Sequence, residues 1–159
     1  MLARAALEGP WRLTGMHRAE ALLQLAKGQL MAGRQVAVDD VVARARDTAA
    51  DQARTLAVRE ATCWTEAGQP ERAVELYDAA LAGELSRRDR GFFSARRSAA
   101  LARAGQADDA ASTAAAALAA GKQAGSARTE RVVRGALNDL APWHARPAVQ
   151  ELAAALTVR

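Results

Sequence analysis

The sequence has few of the residues on which many functional classes depend. Only 4% of its 159 residues are aromatic, and it has one cysteine. A single cysteine, Cys63, cannot form an intramolecular disulfide, so nothing indicates an oxidising compartment. No apolar run approaches the ~20 residues of a membrane-spanning helix, and the N-terminus lacks the pattern of a signal peptide. We therefore expect a cytoplasmic protein that does not enter a membrane.

Catalytic and metal-binding patterns are missing as well. His17 and His144 have no second His, Cys or carboxylate at the i, i+4 spacing of a helical metal site. No histidine lies near Cys63 in the sequence, and we interpret this cysteine as a buried core residue. The glycines at 121–125 lack the preceding strand and glycine of a phosphate loop. We predict no enzymatic activity, no cofactor and no metal.

Alanine, by contrast, makes up about a quarter of the chain. It is the best helix former, and breaks that contain Gly or Pro separate stretches of helical length. No segment shows the alternation of a β-strand. The sequence predicts an all-α fold of stacked antiparallel helical hairpins with about eight helices, and a short helix at 2–8 stays open. The predicted helices are 15–32, 36–50, 53–67, 71–83, 92–104, 107–121, 127–141 and 147–157.

Parts of the sequence repeat. The Ala-Gly-Gln sequence at 67–69 recurs at 104–106, and Ala73 has a counterpart in Ala110 at the same offset. A hairpin needs glycine at its tight turn and small residues where its helices cross. One hairpin cannot bury its own apolar face, so several must stack.

The spacing of Gly68, Ala73, Tyr77, Ala80 and Leu81 resembles the tetratricopeptide repeat. The resemblance implies one helical-repeat domain over 1–159 and a protein- or peptide-binding function. Its repeats are expected at about 17–50, 53–83 and 92–121, followed by C-terminal capping helices at 127–157.

Two residues depart from this family pattern. Glu60 and Arg97 occupy equivalent positions that are usually a buried leucine. We consider two interpretations: the two side chains pair with each other between neighbouring first helices, or the repeat register is shifted there.

A narrower resemblance rests on two segments, 17–34 and 126–152, which contain His17-Arg18-Ala19 and Pro147-Ala148-Val149. They are similar to the C-terminal regions of actinobacterial helix-turn-helix transcription regulators of the Cro/repressor type. The resemblance implies a ligand-sensing or dimerisation part of a regulator, and we expect this chain to lack the DNA-binding domain.

The repeat resemblance implies a groove lined by the first helix of each hairpin. Its basic residues are expected to bind carboxylates and its apolar residues the side chains of a peptide. The alternative is a solvated face without a ligand. The predicted groove residues are Lys27, Leu30, Val58, Arg59, Thr62, Phe92, Arg96 and Arg103.

Other interpretations stay open. Val149, Leu152 and Leu156 on the last helix either cap the stack or form a homodimer interface. A small-molecule or signal-peptide sensor, or an accessory subunit of an enzyme complex, is an alternative function. The arginines at 87–90 lack interleaved aromatics and the net charge is only +4, so we expect no direct nucleic-acid binding.

Overall fold

The computed structural model describes residues 15–48 and 53–157, which form helices joined by turns and contain no strand. The all-α prediction with about eight helices is confirmed, while the short helix at 2–8 and the end of the second predicted helix lie outside the described residues. The helices are α1 (Gly15–Met31), α2 (Val38–Thr48), α3 (Ala53–Glu66), α4 (Pro70–Leu81), α5 (Arg87–Arg103), α6 (Ala107–Gln123), α7 (Ala127–Asp139) and α8 (Pro147–Thr157), with a 3-10 helix at Ala141–Trp143.

The chain divides into two compact units, Met1–Leu76 and Tyr77–Arg159, and the boundary falls within α4. In the first unit, α1 contacts both α2 and α3. In the second, α5 contacts α6 and α7, and α6 contacts α8. Contact with the next helix and with the one after it is expected where hairpins stack. The tetratricopeptide arrangement and the single domain over 1–159 stay predictions.

Glycines end the helices at the turns that the sequence predicts. Gly33, Gly68 and Gly105 have positive φ angles of 70°, 76° and 76°. After Gly68, the backbone N–H of Gln69 donates to the carbonyl oxygen of Trp64 at 3.0 Å. This bond satisfies a carbonyl that the end of α3 would leave without a partner, and the left-handed conformation that it requires is cheap only for glycine.

The start of α5 differs from the prediction. The sequence places the helix start at 92, whereas α5 begins at Arg87 with Ser86 as its N-cap. The Ser86 hydroxyl accepts a hydrogen bond from the Asp89 backbone N–H at 3.1 Å and donates to the Asp89 carboxylate at 2.7 Å. This reciprocal cap stabilises a first turn that, from composition alone, looks like a polar loop.

Gly91, which the predicted helix 92–104 leaves outside, is a packing residue of α5. It is buried in α5, and a Cβ built on it would lie 3.3 Å from the Cβ of Ala120 on α6. Gly121 makes a similar approach to α7, where a Cβ would lie 3.0 Å from Cγ2 of Thr129. The small residues therefore set the short distances between these helices.

The last helix covers the end of the second unit. Val149, Leu152 and Leu156 are buried, and α8 packs on α6. The Lys122 ammonium of α6 donates to the Ala155 carbonyl of α8 at 3.1 Å. The three apolar residues are therefore already covered by their own chain, as the capping interpretation expects. A homodimer that uses them requires α8 to leave α6.

The glycine turns can be tested by comparing two glycines of the first unit. We expect Gly68→Ala to lower the free energy of unfolding by about 1 kcal/mol, since alanine is strained at the φ of 76°. Gly28→Ala is the matched control. Gly28 lies inside α1 with nothing within 4 Å of an added Cβ, so alanine is expected to stabilise there by about 0.5–1 kcal/mol. Guanidinium unfolding followed by circular dichroism measures both, and a stabilising Gly68→Ala contradicts the turn.

Candidate functional site

The predicted groove residues of the first unit are partly engaged within the chain. Val58 is buried at 6% exposure, while Lys27 and Leu30 are half-buried. The Arg59 guanidinium forms an ion pair with Glu20 at 2.6 Å. The Thr62 hydroxyl donates to the Val58 carbonyl at 3.1 Å. Arg59 is thus already neutralised, and Val58 supports the core more than it offers surface to a ligand.

In the second unit one predicted groove residue, Arg96, lies by the ring of another, Phe92, together with Arg128, which the sequence did not predict. Phe92 is only 8% exposed, and Cζ of Arg128 lies 3.7 Å from its ring centroid. Cζ of Arg96 lies 5.4 Å from the same centroid. Arg103 forms an ion pair with Asp139 at 3.2 Å. We name Phe92, Arg96 and Arg128 the arginine–phenylalanine stack.

Arg96 differs from the other arginines predicted for the groove. Arg59 and Arg103 each have a carboxylate partner. Among the residues that the structure describes, Arg96 has a contact with Phe92 but no ion pair. Arg96 is half-buried, so part of its side chain is accessible to a ligand.

Glu60, one of the two departures from the repeat pattern, is paired inside the first unit. Its side chain is 4% exposed and accepts two hydrogen bonds from Arg46 of α2, at 2.9 and 2.5 Å. The indole N–H of Trp64 donates to the same carboxylate at 3.0 Å. The guanidinium of Arg72 stacks 3.8 Å from the Trp64 ring. A buried charge is tolerated here because several donors satisfy it.

Arg97, the other departure, is paired inside the second unit. It donates to the Asp78 carboxylate at 2.5 and 3.4 Å and to the Thr113 hydroxyl at 3.3 Å. The hypothesis that Glu60 and Arg97 pair with each other is therefore wrong. Each pairs instead with the second helix of the preceding hairpin, and the two pairs have opposite polarity.

Cys63 has the environment of a core residue. It is 1% exposed, and its Sγ–H donates to the Leu23 carbonyl at 3.1 Å. Burial raises the pKa of the Cys63 thiol from 9.0 to about 12, and the nearby charge of Lys27 only partly opposes this rise. The thiol is protonated at neutral pH, which agrees with the interpretation of Cys63 as structural.

The described part of the chain has neither a candidate metal site nor a candidate membrane span. Within residues 15–48 and 53–157, no group of three or more His, Cys, Asp or Glu side chains could hold a metal ion. No helix in those ranges is long and apolar enough to cross a membrane.

A pocket that the sequence did not predict lies between α5 and α6. It has a volume of about 320 Å³ and is lined mainly by small residues, among them Gly91, Ser94, Ala117 and Ala120. Arg87 and Arg90 also line it. We name it the α5–α6 pocket. The one sign of it in the sequence is that both helices contain several small residues. These residues form a pocket only because α5 and α6 pack in the register that the structure shows.

A second hollow, in the first unit, has a volume of about 570 Å³. It lies beside the Gly33 turn and includes Leu30, Val36 and Gln69 in its lining. Most of its lining residues belong to the connection between α1 and α2. Leu30 is the one predicted groove residue in this lining.

Comparisons of the chain with protein-family models, with curated proteins and with solved structures find no match. The tetratricopeptide and regulator resemblances therefore stay predictions.

The Glu60 network can be tested by removing its cation. We expect Arg46→Ala to lower the free energy of unfolding by about 2 kcal/mol, because it leaves a buried carboxylate poorly compensated. The cost is reduced by the 59% exposure of the Arg46 side chain. Adding Glu60→Leu to Arg46→Ala should recover part of the loss. Arg44→Ala removes the same charge from an exposed position of α2, so an equal effect of both single variants contradicts the network.

The burial of the Cys63 thiol predicts that it reacts slowly with thiol reagents in the folded protein. We expect Ellman's reagent to react with Cys63 only after guanidinium unfolding, since the native thiol is buried and protonated. Fast reaction of the native protein contradicts this.

The raised pKa also predicts a pH dependence with a definite sign. Above pH 9 the unfolded chain loses the thiol proton while the folded chain keeps it up to about pH 12. The free energy of unfolding therefore falls as the pH rises through this window, by about 1 kcal/mol per pH unit. Cys63→Ala lacks this contribution and is expected to lose less stability between pH 9 and pH 10.

Proposed function

We propose that this chain is a non-catalytic binding module whose ligand is a peptide or protein segment that carries carboxylates. The contact surface is the arginine–phenylalanine stack on the second unit, with Arg96 as its main contact. In line with the regulator resemblance, we propose that binding serves a regulatory protein, as the part that senses a ligand or assembles with a partner.

The observation that carries this proposal is the environment of Arg96. Arg59 and Arg103 form ion pairs with Glu20 and Asp139, respectively. Arg96 is instead placed against Phe92, on a ring that also holds Arg128. A cation–π contact with the ring limits the positions of the guanidinium, so less entropy is lost when its fork of donors meets a carboxylate.

The chemistry of the stack favours a carboxylate over a phosphate backbone. Binding to nucleic acid depends on many simultaneous phosphate contacts. Near this stack, Asp139 and Asp78 occupy neighbouring arginines, and the whole chain carries a net charge of only +4. A single planar guanidinium suits one bidentate carboxylate, as a glutamate or aspartate side chain supplies.

A second function has its own support. A small-molecule sensor is the alternative function, and an apolar pocket is the observation that favours it. The α5–α6 pocket, with a volume of about 320 Å³, is such a feature. Its volume is near the lower end of the range of small-molecule sites.

Charge-matched variants test the peptide-binding proposal. The probes are fluorescein-labelled peptides that carry several glutamates beside leucines, and the same peptides with lysine in place of glutamate. By fluorescence anisotropy, we expect Arg96→Ala to weaken binding of the glutamate peptides about tenfold, since a charged hydrogen bond is lost. Lysine peptides are expected to bind neither form.

Arg134→Ala is the control for that experiment. Arg134 is an exposed residue of α7, so its variant has the same net charge as Arg96→Ala. An equal loss of affinity in both variants indicates attraction by net charge alone and contradicts the proposed surface. Absence of binding by every glutamate peptide contradicts the proposal as a whole.

A further inference from the structure

The α5–α6 pocket is a trough between two antiparallel helices. Gly91 of α5 faces Ala120 of α6, since a Cβ on Gly91 would lie 3.3 Å from the Cβ of Ala120. With this register, Arg87 lies at the open end of the hairpin and Ser94 lies nearer its turn. Both residues line the pocket, and the helix rise between them gives a length of about 10 Å.

The floor and the rim of the trough differ in polarity. Its floor is formed by the small apolar residues Gly91, Ala117 and Ala120. Arg87 and Arg90 are on the rim, toward the open end. The uncharged polar residue Ser94 lies toward the turn, so the cations are at the open end only, and cations at one end define the orientation of a ligand that has one anionic end.

The two rim arginines are available to different degrees. Arg90 is fixed, because it donates to the carbonyls of Leu81 and Gly83 at 2.9 and 3.1 Å. Within the described part of the chain, Arg87 forms neither a hydrogen bond nor an ion pair, and it is exposed. Arg87 is therefore the cation that a ligand can engage, and Arg90 adds a positive field that is held in place.

The local electrostatics favour an anion at this end. The first turn of α5 carries Arg87, Arg88 and Arg90 against one acidic residue, Asp89. Cations at a helix N-terminus oppose the helix dipole. A carboxylate beside Arg87 offsets this repulsion, whereas an amine there increases it.

The floor also indicates what the rest of the ligand is. The alanines and the glycine of the floor offer no side-chain hydrogen-bond partners for the amides of a peptide, and Ser94 and Gln123 are the two uncharged polar residues of the lining. An alkyl chain needs no hydrogen-bond partners. The pocket volume is about 320 Å³. If each heavy atom takes the ~30 Å³ of one water in the liquid, the pocket holds about ten heavy atoms, the number in an eight-carbon fatty acid.

We propose that the α5–α6 pocket binds a medium-chain aliphatic carboxylate, with its alkyl chain along Gly91, Ala117 and Ala120 and its carboxylate on Arg87. This site is separate from the arginine–phenylalanine stack, and the proposal rests on the small-molecule alternative of the proposed function. It assigns the chain a small amphipathic ligand, whatever its protein partner is.

Isothermal titration calorimetry of the full chain with sodium octanoate tests the proposal. We expect saturable binding that weakens about fourfold for each methylene removed, as measured with heptanoate and hexanoate. Octylamine has the same chain with the opposite charge and is expected not to bind. All titrations stay below the concentrations at which these amphiphiles form micelles.

Two variants locate the site. We expect Arg87→Ala to weaken octanoate binding about threefold to fivefold through loss of an ion pair at an exposed side chain. Ala120→Leu fills the trough and is expected to abolish binding, and its melting curve shows whether it has folded. If it has not, Ala116→Leu fills the exposed edge of the same pocket. Arg131→Ala, on an exposed position of α7, is the charge-matched control and should bind octanoate as the unaltered protein does.

Several results overturn the proposal. Octanoate that binds the filled variant as well as the unaltered protein has a different site. Octylamine that binds as tightly as octanoate shows that Arg87 selects no anion. Lack of octanoate binding, with glutamate peptides sensitive to Ala120→Leu, makes the trough a peptide anchor instead. Because Arg96→Ala leaves the trough intact, it should leave octanoate binding unchanged, so this proposal and the peptide proposal fail independently.

Discussion

Close approach of the helices is the constraint on which the second unit depends. With so few aromatic side chains, burial has to come from backbones that lie near one another, and this requires Gly or Ala at the crossings. Gly91 against Ala120 and Gly121 against Thr129 are the clearest cases. The small side chains also create the α5–α6 pocket, because beside the crossing they leave the space between the two helices unfilled.

Charge placement follows from how the helices are joined. A second helix and the first helix of the next hairpin are linked by Arg46–Glu60 in one unit and by Asp78–Arg97 in the other. Either polarity serves, because the pair needs only complementary charges at that crossing. Arginines that such pairs do not use are the ones left for ligands, and Arg96 is the one predicted groove residue of this kind in the described chain.

Helix content and the glycine turns could be predicted from the sequence because both are local properties. The start of α5 could not, since a reciprocal Ser86–Asp89 cap outweighs the polar composition of its first turn. The partners of Glu60 and Arg97 depend on which helices pack together, which one sequence does not reveal. Phe92 was expected to contact a ligand directly, yet it is largely buried, and its ring contacts the guanidinium of Arg96. The pocket depends on helix register and had no separate signal.

The two proposed surfaces share one helix, which raises the question of whether they are coupled. Arg87 and Arg96 are nine residues apart on α5, or about 13 Å along its axis. The Debye length at physiological salt is ~8 Å, so the charge of a carboxylate at one arginine is largely screened at the other. Coupling would then need a movement of α5, which its tight crossing at Gly91 and Ala120 resists. The pocket and the stack are thus expected to act as separate sites, and a response of one to the other at physiological salt would indicate that α5 moves.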